Sequence, residues 1–471
     1  MSRNKSLPLI ENVTITDAGA EGMAVARVDG LVVFVPFAVP GDIADIQLYK
    51  KKKSYAEGRL QRLVAPSPQR VEAACPHYGV CGGCKWQTFA YDGQLKAKQK
   101  QVRDSLERLG GIDCSEMRPI CGADNIYYYR NKLEFTFSSR QWLTSTDEEP
   151  STWGALGFHV PTMFDKVLPI NHCALQADPS NAIRNAARLY AEKHGLSCYD
   201  IRNHNGFLRN LVIRTSSTGE LMVILIVAED REAELHAMLD YIAEQFPSIT
   251  SLHYVINSKF NDSYSDLPVV TYRGKGYIEE RMEGYQGSKS LIFKINPKSF
   301  YQTNSVQAQR LYSYVAELAE LKPTDTLYDL YTGTGTIALF LADKCHKVIG
   351  IEYVEEAIAD ARLNAAANGL DNTTFYDGDM AKVLTPDFVA QNGTPDVVVT
   401  DPPRAGMHES VVKQLIAMRP RKIVYVSCNP ATQARDLQLL SETYTVGKIQ
   451  PVDMFPHTQH VENIVELFLA K

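Results

Sequence analysis

A chain of 471 residues is about three typical domains long, and a hydrophobic fraction of 45% gives each domain material for its own core. The formal net charge of −6 excludes indiscriminate binding of polyanions but leaves room for local basic surfaces. The first residues, Met1-Ser-Arg-Asn-Lys-Ser-Leu-Pro8, lack the apolar core of a secretory signal, and no stretch approaches the roughly 18 uncharged apolar residues of a membrane span. A cytoplasmic protein with no membrane partner is expected, and in that reducing compartment its nine cysteines point to metal ligation or catalysis rather than disulfides.

Residues 8–64 read as short strands between turns: Ile10–Ile15, Gly19–Gly22, Ala24–Val28, Leu31–Phe37, Ile43–Tyr49 and Ala56–Val64. Asp29-Gly30 and Pro40-Gly41 supply the turns, and so many strands in under 70 residues predict a small barrel. One of its loops is Tyr49-Lys-Lys-Lys-Lys-Ser-Tyr55, where lysines flanked by aromatics suit phosphates and stacked bases. Taken alone, four lysines are equally what a solvated hairpin tip looks like.

Pro66-Ser-Pro68 reads as a linker, after which Cys75, Cys81 and Cys84 crowd one glycine-rich loop. Residues 91–110 predict a helix with Leu95, Val102, Leu106 and Leu109 on one stripe and Lys96, Lys98, Lys100 and Arg103 elsewhere. The stretch 122–290 is mixed, with a strand pattern over Tyr127–Phe137, a helix near Asn181–His194 and an apolar run Leu221–Val227 before another helix. From Thr326 strands and helices alternate: Thr326–Leu330, Lys347–Ile351, Thr373–Tyr376, Asp396–Thr400 and Lys422–Val426, with a last run at Glu462–Ala470. That alternation predicts a doubly wound parallel sheet, in which ligands bind beyond the carboxyl ends of the strands.

Three of those ends carry chemistry. Asp329-Leu-Tyr-Thr-Gly-Thr-Gly-Thr336 closes the first strand with Gly333 and Gly335 at a strand-to-helix turn, where backbone can approach a ligand. The turn departs from G-x-G-x-x-G because Ala338 stands at the last position; Glu352, 17 residues after Gly335, is placed to hold a ribose hydroxyl pair. Asp379 falls after the third strand, where an adenine edge would be met, although a turn aspartate needs no ligand to explain it. This arrangement is the pattern of S-adenosylmethionine (SAM) methyltransferases.

Asp401-Pro-Pro-Arg404 has an arginine where amino-methyltransferases of this shape place an aromatic, so an exocyclic amine is the poorer target. Cys428, in Val426-Ser-Cys-Asn-Pro430, supplies another route: carbon 5 of a pyrimidine becomes nucleophilic once a thiolate adds to carbon 6. Such a route needs a base for the carbon-5 proton, and Glu462, in His460-Val-Glu-Asn463, is the candidate. Outside this context a buried structural thiol and a strand-start glutamate would explain the two residues as well.

With these motifs and Ser299-Phe-Tyr-Gln-Thr-Asn304 in one chain, the sequence resembles the RNA uracil-5-methyltransferase family over nearly its full length. The resemblance implies that Cys428 is the nucleophile and Glu462 the base, and that Gln302, Tyr331, Glu352, Asp379 and Asp401 line the cofactor and target-base pocket. Gln302 could instead merely precede a helix capped by Asn304 or Ser305, and Thr336 stands where the family pattern has Asn. The barrel from Gly19 through Gly41 looks like a TRAM domain, an OB-like RNA-binding module.

Cys75, Cys81 and Cys84 resemble the family's iron–sulfur motif, with Cys173 in Asn171-His-Cys-Ala174 as the distant fourth thiolate; the implied group is a [4Fe–4S] cluster, with a four-thiolate zinc as the rival. The spacing differs from the C-x3-C-x2-C of radical-SAM enzymes. Three parts are expected: a TRAM domain at 1–66, a central α+β iron–sulfur domain at 67–290, and the SAM-dependent catalytic domain at 291–471, on which 91–121 would pack. The expected reaction is methylation of carbon 5 of a uridine in RNA by a monomer, and the TRAM domain and cluster tilt the substrate toward 23S ribosomal RNA rather than transfer RNA. An RNA-binding iron–sulfur module without catalysis and an amino-methyltransferase are the rivals, against which Cys428 and Glu462 together speak.

Overall fold

The computed structural model describes residues 7–145, 149 and 151–470; Met1–Ser6, where the N-terminal reading begins, lie outside the described residues. Five strands close the first barrel: β1 (Leu9–Ala18), β2 (Ala24–Val28), β3 (Leu31–Val35), β4 (Ile43–Lys51) and β5 (Tyr55–Ala65), joined in the order β1-β2-β3-β5-β4. Alternate residues point inward, as the two-residue period of a strand requires, burying Val13 and Ile15, Ala24 and Ala26, Val33 and Val35, and Ala44, Ile46 and Leu48. Gly58 lets β4 and β5 approach, since a Cβ there would stand 2.4 Å from the Ile46 side chain. Gly19–Gly22 is not the strand its sequence suggests: Glu21 (φ 56°) and Gly22 (φ 77°) take the left-handed region, and a helical turn replaces pairing.

Helix α1 spans Tyr91–Gly110 and ends on Gly111 in the left-handed conformation. Its buried face is Gln94, Lys98, Val102, Leu106 and Gly110, a strict four-residue stripe, whereas Leu109 is 59% exposed. Lys98 therefore lies on the buried face, contrary to the sequence expectation, because Asp453 accepts its Nζ at 2.5 Å with both side chains fully buried.

The central part has β6 (Lys132–Ser138), β7 (Ala155–Val160), β8 (Met163–Pro169), α2 (Ser180–Lys193), β9 (Leu208–Thr215), β10 (Leu221–Val227), α3 (Glu232–Gln245), β11 (Ser251–Ile256) and β12 (Val270–Gly274). Its sheet runs β12-β11-β10-β9-β6-β7-β8, and β10, apolar at every position, is buried throughout. The hairpin of β13 (Ile278–Met282) and β14 (Leu291–Ile295) leads into α4 (Ser305–Ala319).

The C-terminal sheet alternates as expected: β15 (Thr326–Leu330), α5 (Thr336–Leu341), β16 (Lys347–Glu352), α6 (Glu355–Asn368), β17 (Thr373–Asp377), α7 (Met380–Val383), α8 (Pro386–Asn392), β18 (Val397–Thr400), α9 (Glu409–Met418), β19 (Lys422–Ser427), α10 (Pro430–Leu440), β20 (Tyr444–Val452) and β21 (Glu462–Leu469). The order is β17-β16-β15-β18-β19-β21-β20, with β21 antiparallel to both neighbours. The order of strand addition reverses between the parallel neighbours β15 and β18, which opens a crevice at their carboxyl ends. Strand β20 escaped the sequence reading because Gly447 and Pro451 interrupt its pattern, and its register shifts between Val446 and Ile449. Val102 and Leu106 of α1, with Ile112 and Cys114, share one core with Tyr425 and Leu437, so α1 packs against α10 in the same body as this sheet.

Candidate active site

A cavity of about 1320 Å³ lies at the carboxyl ends of β15, β16, β18 and β19. One wall is the turn after β15, where Tyr331 (φ 64°), Gly333 (φ 55°) and Gly335 (φ 79°) bend the chain back into α5. The buried Asp329 carboxylate fixes this bend, accepting the Thr332 hydroxyl at 2.5 Å and the Ala338 N–H at 3.0 Å. At the rim, Glu352 accepts the Gly333 N–H at 3.1 Å and the Tyr353 N–H at 2.8 Å, joining the ends of β15 and β16.

The facing wall is the segment from Asn296 to Thr303. Asp360 on α6 accepts the side chains of Asn296 and Ser299, and Asn131 donates to the Gln302 carbonyl at 2.9 Å. Asn304 caps α4 by accepting the Gln307 N–H, so the structural role weighed for this segment falls to Asn304, while Gln302 lines the cavity.

Antiparallel pairing builds the floor. Ser427 of β19 stands opposite Asn463 of β21, which sets Cys428, one residue beyond, next to Glu462, one residue before. Gln433 locks that register, its amide donating to the Tyr425 and Asn463 carbonyls at 3.0 and 3.2 Å and accepting the Asn463 amide at 2.8 Å. The Arg404 carbonyl accepts Asn429 Nδ2 at 3.0 Å and the Thr432 hydroxyl at 3.1 Å, which fastens the Asp401–Arg404 loop to the start of α10.

The floor is short of positive charge. Burial pushes the Cys428 thiol up to about 11, helped by Glu462 and Asp401 and opposed by Arg404. Burial, then the charge of Asp401, holds Glu462 well above the usual carboxylate range, again against Arg404. Asp401 is raised to about 7 by burial and by Asp329, and Asp329 to about 7 by its own burial. The thiol of Cys428 and the carboxyl of Glu462 are therefore both held toward their neutral forms.

Cys428, Glu462, Asp401, Gln302, Tyr331, Gly333 and Glu352 all line this one cavity. Asp379 is not among its lining residues; it caps α7, accepting the Ala381 N–H at 3.0 Å. The sequence reading gave no role to Arg130, Phe455 or His460, which also line the cavity, nor to the cation of Arg404. Arg404 and His460 sat inside quoted motifs and could have been singled out there, whereas Arg130 reaches the cavity only through the tertiary fold.

The loop after β5 places a second cluster on the central part. Cys75, Cys81, Cys84 and Cys173 are all free thiols, and they lie close enough that each of Cys81, Cys84 and Cys173 is pushed up partly by its neighbours' charge, burial being the larger cause. Among the described residues no three His, Cys, Asp or Glu side chains converge as single-ion ligands. Four neighbouring thiols are the donor type that an iron–sulfur cluster or a four-thiolate zinc takes.

Residues 271–471 match the family model described as tRNA (Uracil-5-)-methyltransferase, and residues 10–60 match the TRAM domain. A protein of Bacteroides thetaiotaomicron named as an uncharacterized RNA methyltransferase is 54% identical over 457 residues, covering 96% of this chain and 99% of that one. A like-named protein of Chlorobaculum tepidum is 39% identical, covering 97% and 95%. Among solved structures, the tRNA (uracil-54, C5)-methyltransferase of Pyrococcus abyssi in complex with S-adenosyl-L-homocysteine superposes with a TM-score of 0.74 at 29% identity, over 97% of this chain and 100% of that chain. Among the described residues no helix is long and apolar enough to cross a membrane.

Proposed function

The chain belongs to the RNA (uracil-5-)-methyltransferase family, and we propose that it methylates carbon 5 of a uridine in 23S ribosomal RNA through a covalent adduct on Cys428. The observation that carries the reading is the β19–β21 register, which sets Cys428 and Glu462 side by side on the floor of a cavity walled by Tyr331, Gly333 and Glu352. Tyr331, Gly333 and Glu352 would hold SAM, which would supply the methyl group, with the Glu352 carboxylate suited to the ribose hydroxyls.

The target uridine leaves its stack to enter the cavity. Cys428 gives up its proton to solvent and its sulfur bonds carbon 6, while the electrons of the 5,6 double bond move onto the carbon-4 oxygen. Asp401, raised to about 7, donates a hydrogen bond to that oxygen in its neutral form. Carbon 5 then takes the methyl, Glu462 in its carboxylate form removes the carbon-5 proton, and the double bond re-forms as the thiolate of Cys428 leaves. Arg404 is the cation that favours both anions the sequence needs, Cys428 thiolate and Glu462 carboxylate.

Cys75, Cys81, Cys84 and Cys173 would hold a [4Fe–4S] cluster, which would supply cross-linking of the loop to the central sheet rather than chemistry on the base. Iron and acid-labile sulfide measured on protein purified without oxygen test this, and zinc alone would contradict it. An RNA substrate fits a cytoplasmic enzyme, which we take to act as a monomer.

A transfer-RNA substrate is the second reading, favoured by what the Pyrococcus enzyme acts on. Total RNA from a strain lacking this gene, incubated with the protein and labelled SAM, separates them: new 5-methyluridine in the 23S fraction supports the first, and label in transfer RNA alone replaces it. Label in neither, or on another position of the base, overturns the reading.

A further inference from the structure

The segment Asp453–Val461 carries Phe455 and His460 into the cavity and delivers Glu462, yet it has no regular secondary structure of its own. Irregular chain holds position only when neighbours fix it. Here the neighbours come from the region next to the four cysteines. The N–H groups of Lys85 and Trp86, one and two residues after Cys84, both donate to the His457 carbonyl, at 2.9 and 3.0 Å.

Buried Gln94 on α1 completes the grip, accepting the His457 N–H at 2.8 Å while its amide donates to the Trp86 carbonyl at 2.9 Å and the Phe89 carbonyl at 2.7 Å. Lys98 donates to Asp453 at 2.5 Å and to the Phe455 carbonyl at 3.0 Å. His457 sits at φ 64°, a left-handed conformation that a side chain keeps only where its surroundings over-determine it.

On the other side, the same backbone is anchored to the thiol loop. The Tyr78 hydroxyl, between Cys75 and Cys81, donates to the Lys85 carbonyl at 2.6 Å, and Gln87 accepts the Cys75 N–H at 3.0 Å. Trp86 Nε1 also donates to the Gly22 carbonyl of the barrel at 3.1 Å. By contrast, the wall formed by Tyr331, Gly333 and Glu352 takes its hydrogen bonds from β15, β16 and their turns.

We infer that the loop carrying Cys75, Cys81 and Cys84 is a positioning element for the proton-removing step: through Lys85 and Trp86, with Gln94 of α1, it holds the turn at His457 that aims Glu462 and His460 into the cavity. The inference rests on the uracil-methylation reading and extends it to what the thiol site does for the reaction. Loosening the loop slows the step that needs Glu462 and leaves the SAM wall intact. Cys428 still adds to the base and the methyl still transfers, but the methylated adduct lasts longer.

The test follows single turnovers on uridine-containing ribosomal RNA with the intact protein, reading covalent adduct by denaturing gel over time and SAM affinity by calorimetry. Gln94→Leu keeps the four thiols and breaks the link; Cys75→Ala breaks the anchor. Both are expected to slow adduct decay by about tenfold or more, a fraction of what general base catalysis supplies, with SAM affinity unchanged and, for Gln94→Leu, iron content unchanged. If Gln94→Leu does not fold, as thermal melting would reveal, Tyr78→Phe removes only one hydroxyl from the same link and should slow decay in the same direction.

Decay at the wild-type rate in Gln94→Leu, or in Cys75→Ala that has lost its iron, overturns the inference. So does a loss confined to RNA or SAM affinity. Wild-type protein that neither methylates RNA nor forms an adduct fails before any variant is made, and that result removes the underlying reading together with the inference.

Discussion

The central and C-terminal sheets each have seven strands, but five of the six neighbouring pairs are antiparallel in the first and four of the six are parallel in the second. Antiparallel strands send their carboxyl ends to opposite edges, so the loops that could bear chemistry are divided between two sides. Parallel strands send them to one edge, and the reversal between β15 and β18 parts them into a crevice. The volumes follow: hollows of about 10 Å³ beside Ser138 and Arg209 and about 210 Å³ beside Asn131 and Thr215 at the central sheet, against about 1320 Å³ at the C-terminal one. The single antiparallel strand that matters for chemistry is β21, because only a strand running backward past β19 can bring Glu462 beside Cys428. The lesson is that the parallel sheet makes the room and the antiparallel closing strand brings Glu462, the proposed base, beside Cys428, the proposed nucleophile.

Substitutions should separate the two sheets sharply. At the C-terminal edge, Cys428→Ser should abolish methylation, and Glu462→Gln should stop turnover after one methyl transfer, costing about 10²- to 10⁴-fold and leaving methylated RNA on the protein. Steady-state label transfer and gel-resolved adduct check both. In the central sheet, Ile224→Ala empties a fully buried position on β10 and should cost about 2–5 kcal/mol of stability by denaturant unfolding, with kcat of the folded protein unchanged. A large fall in kcat there would erase the contrast.

Charge gives a smaller effect. Cys428 and Glu462 are both raised above their ordinary values, which favours their protonated forms, so the rate should climb as pH rises and the anions form. Arg404 opposes both shifts; without its charge both groups rise further. Arg404→Gln should therefore move the climb to higher pH and slow the neutral-pH reaction several-fold, with less loss in alkaline buffer. A pH–rate profile that keeps its position would contradict the electrostatic account.

The smallest expected effect lies farthest from the chemistry, at the barrel's lysine tip. Lys50 is engaged with Glu57 at 2.5 Å and lies over the Tyr55 ring, whereas Lys51, Lys52 and Lys53 make no ion pair among the described residues. Replacing those three with glutamine should weaken RNA binding and flatten its salt dependence, with the methylation rate at saturating RNA unchanged.

Much of this arrangement is legible in the residues. Strand β15 and helix α1 match their expected bounds residue for residue, and the turn glycines after β15 mark the cavity wall in the sequence itself. What the pattern misreads is where a polar group has a distant partner: Lys98 looks solvent-facing until Asp453, 355 positions away, is brought to it. Asp379 sits at the expected strand end, where one of its oxygens also caps α7 through the Ala381 N–H. Gly447 and Pro451 hide β20, which is held by its pairing with β21 rather than by its own propensity. Cys173 joins the three clustered thiols only because β8 and α2 carry it there, a contact that spacing alone cannot encode.

The most direct test is to incubate the protein with SAM and ribosomal RNA in which uridine is replaced by 5-fluorouridine. Fluorine cannot leave as the proton does, so a covalent complex should accumulate, and peptide mass spectrometry should place the methylated nucleotide on Cys428. No complex, or one that persists in Cys428→Ser, would contradict the account.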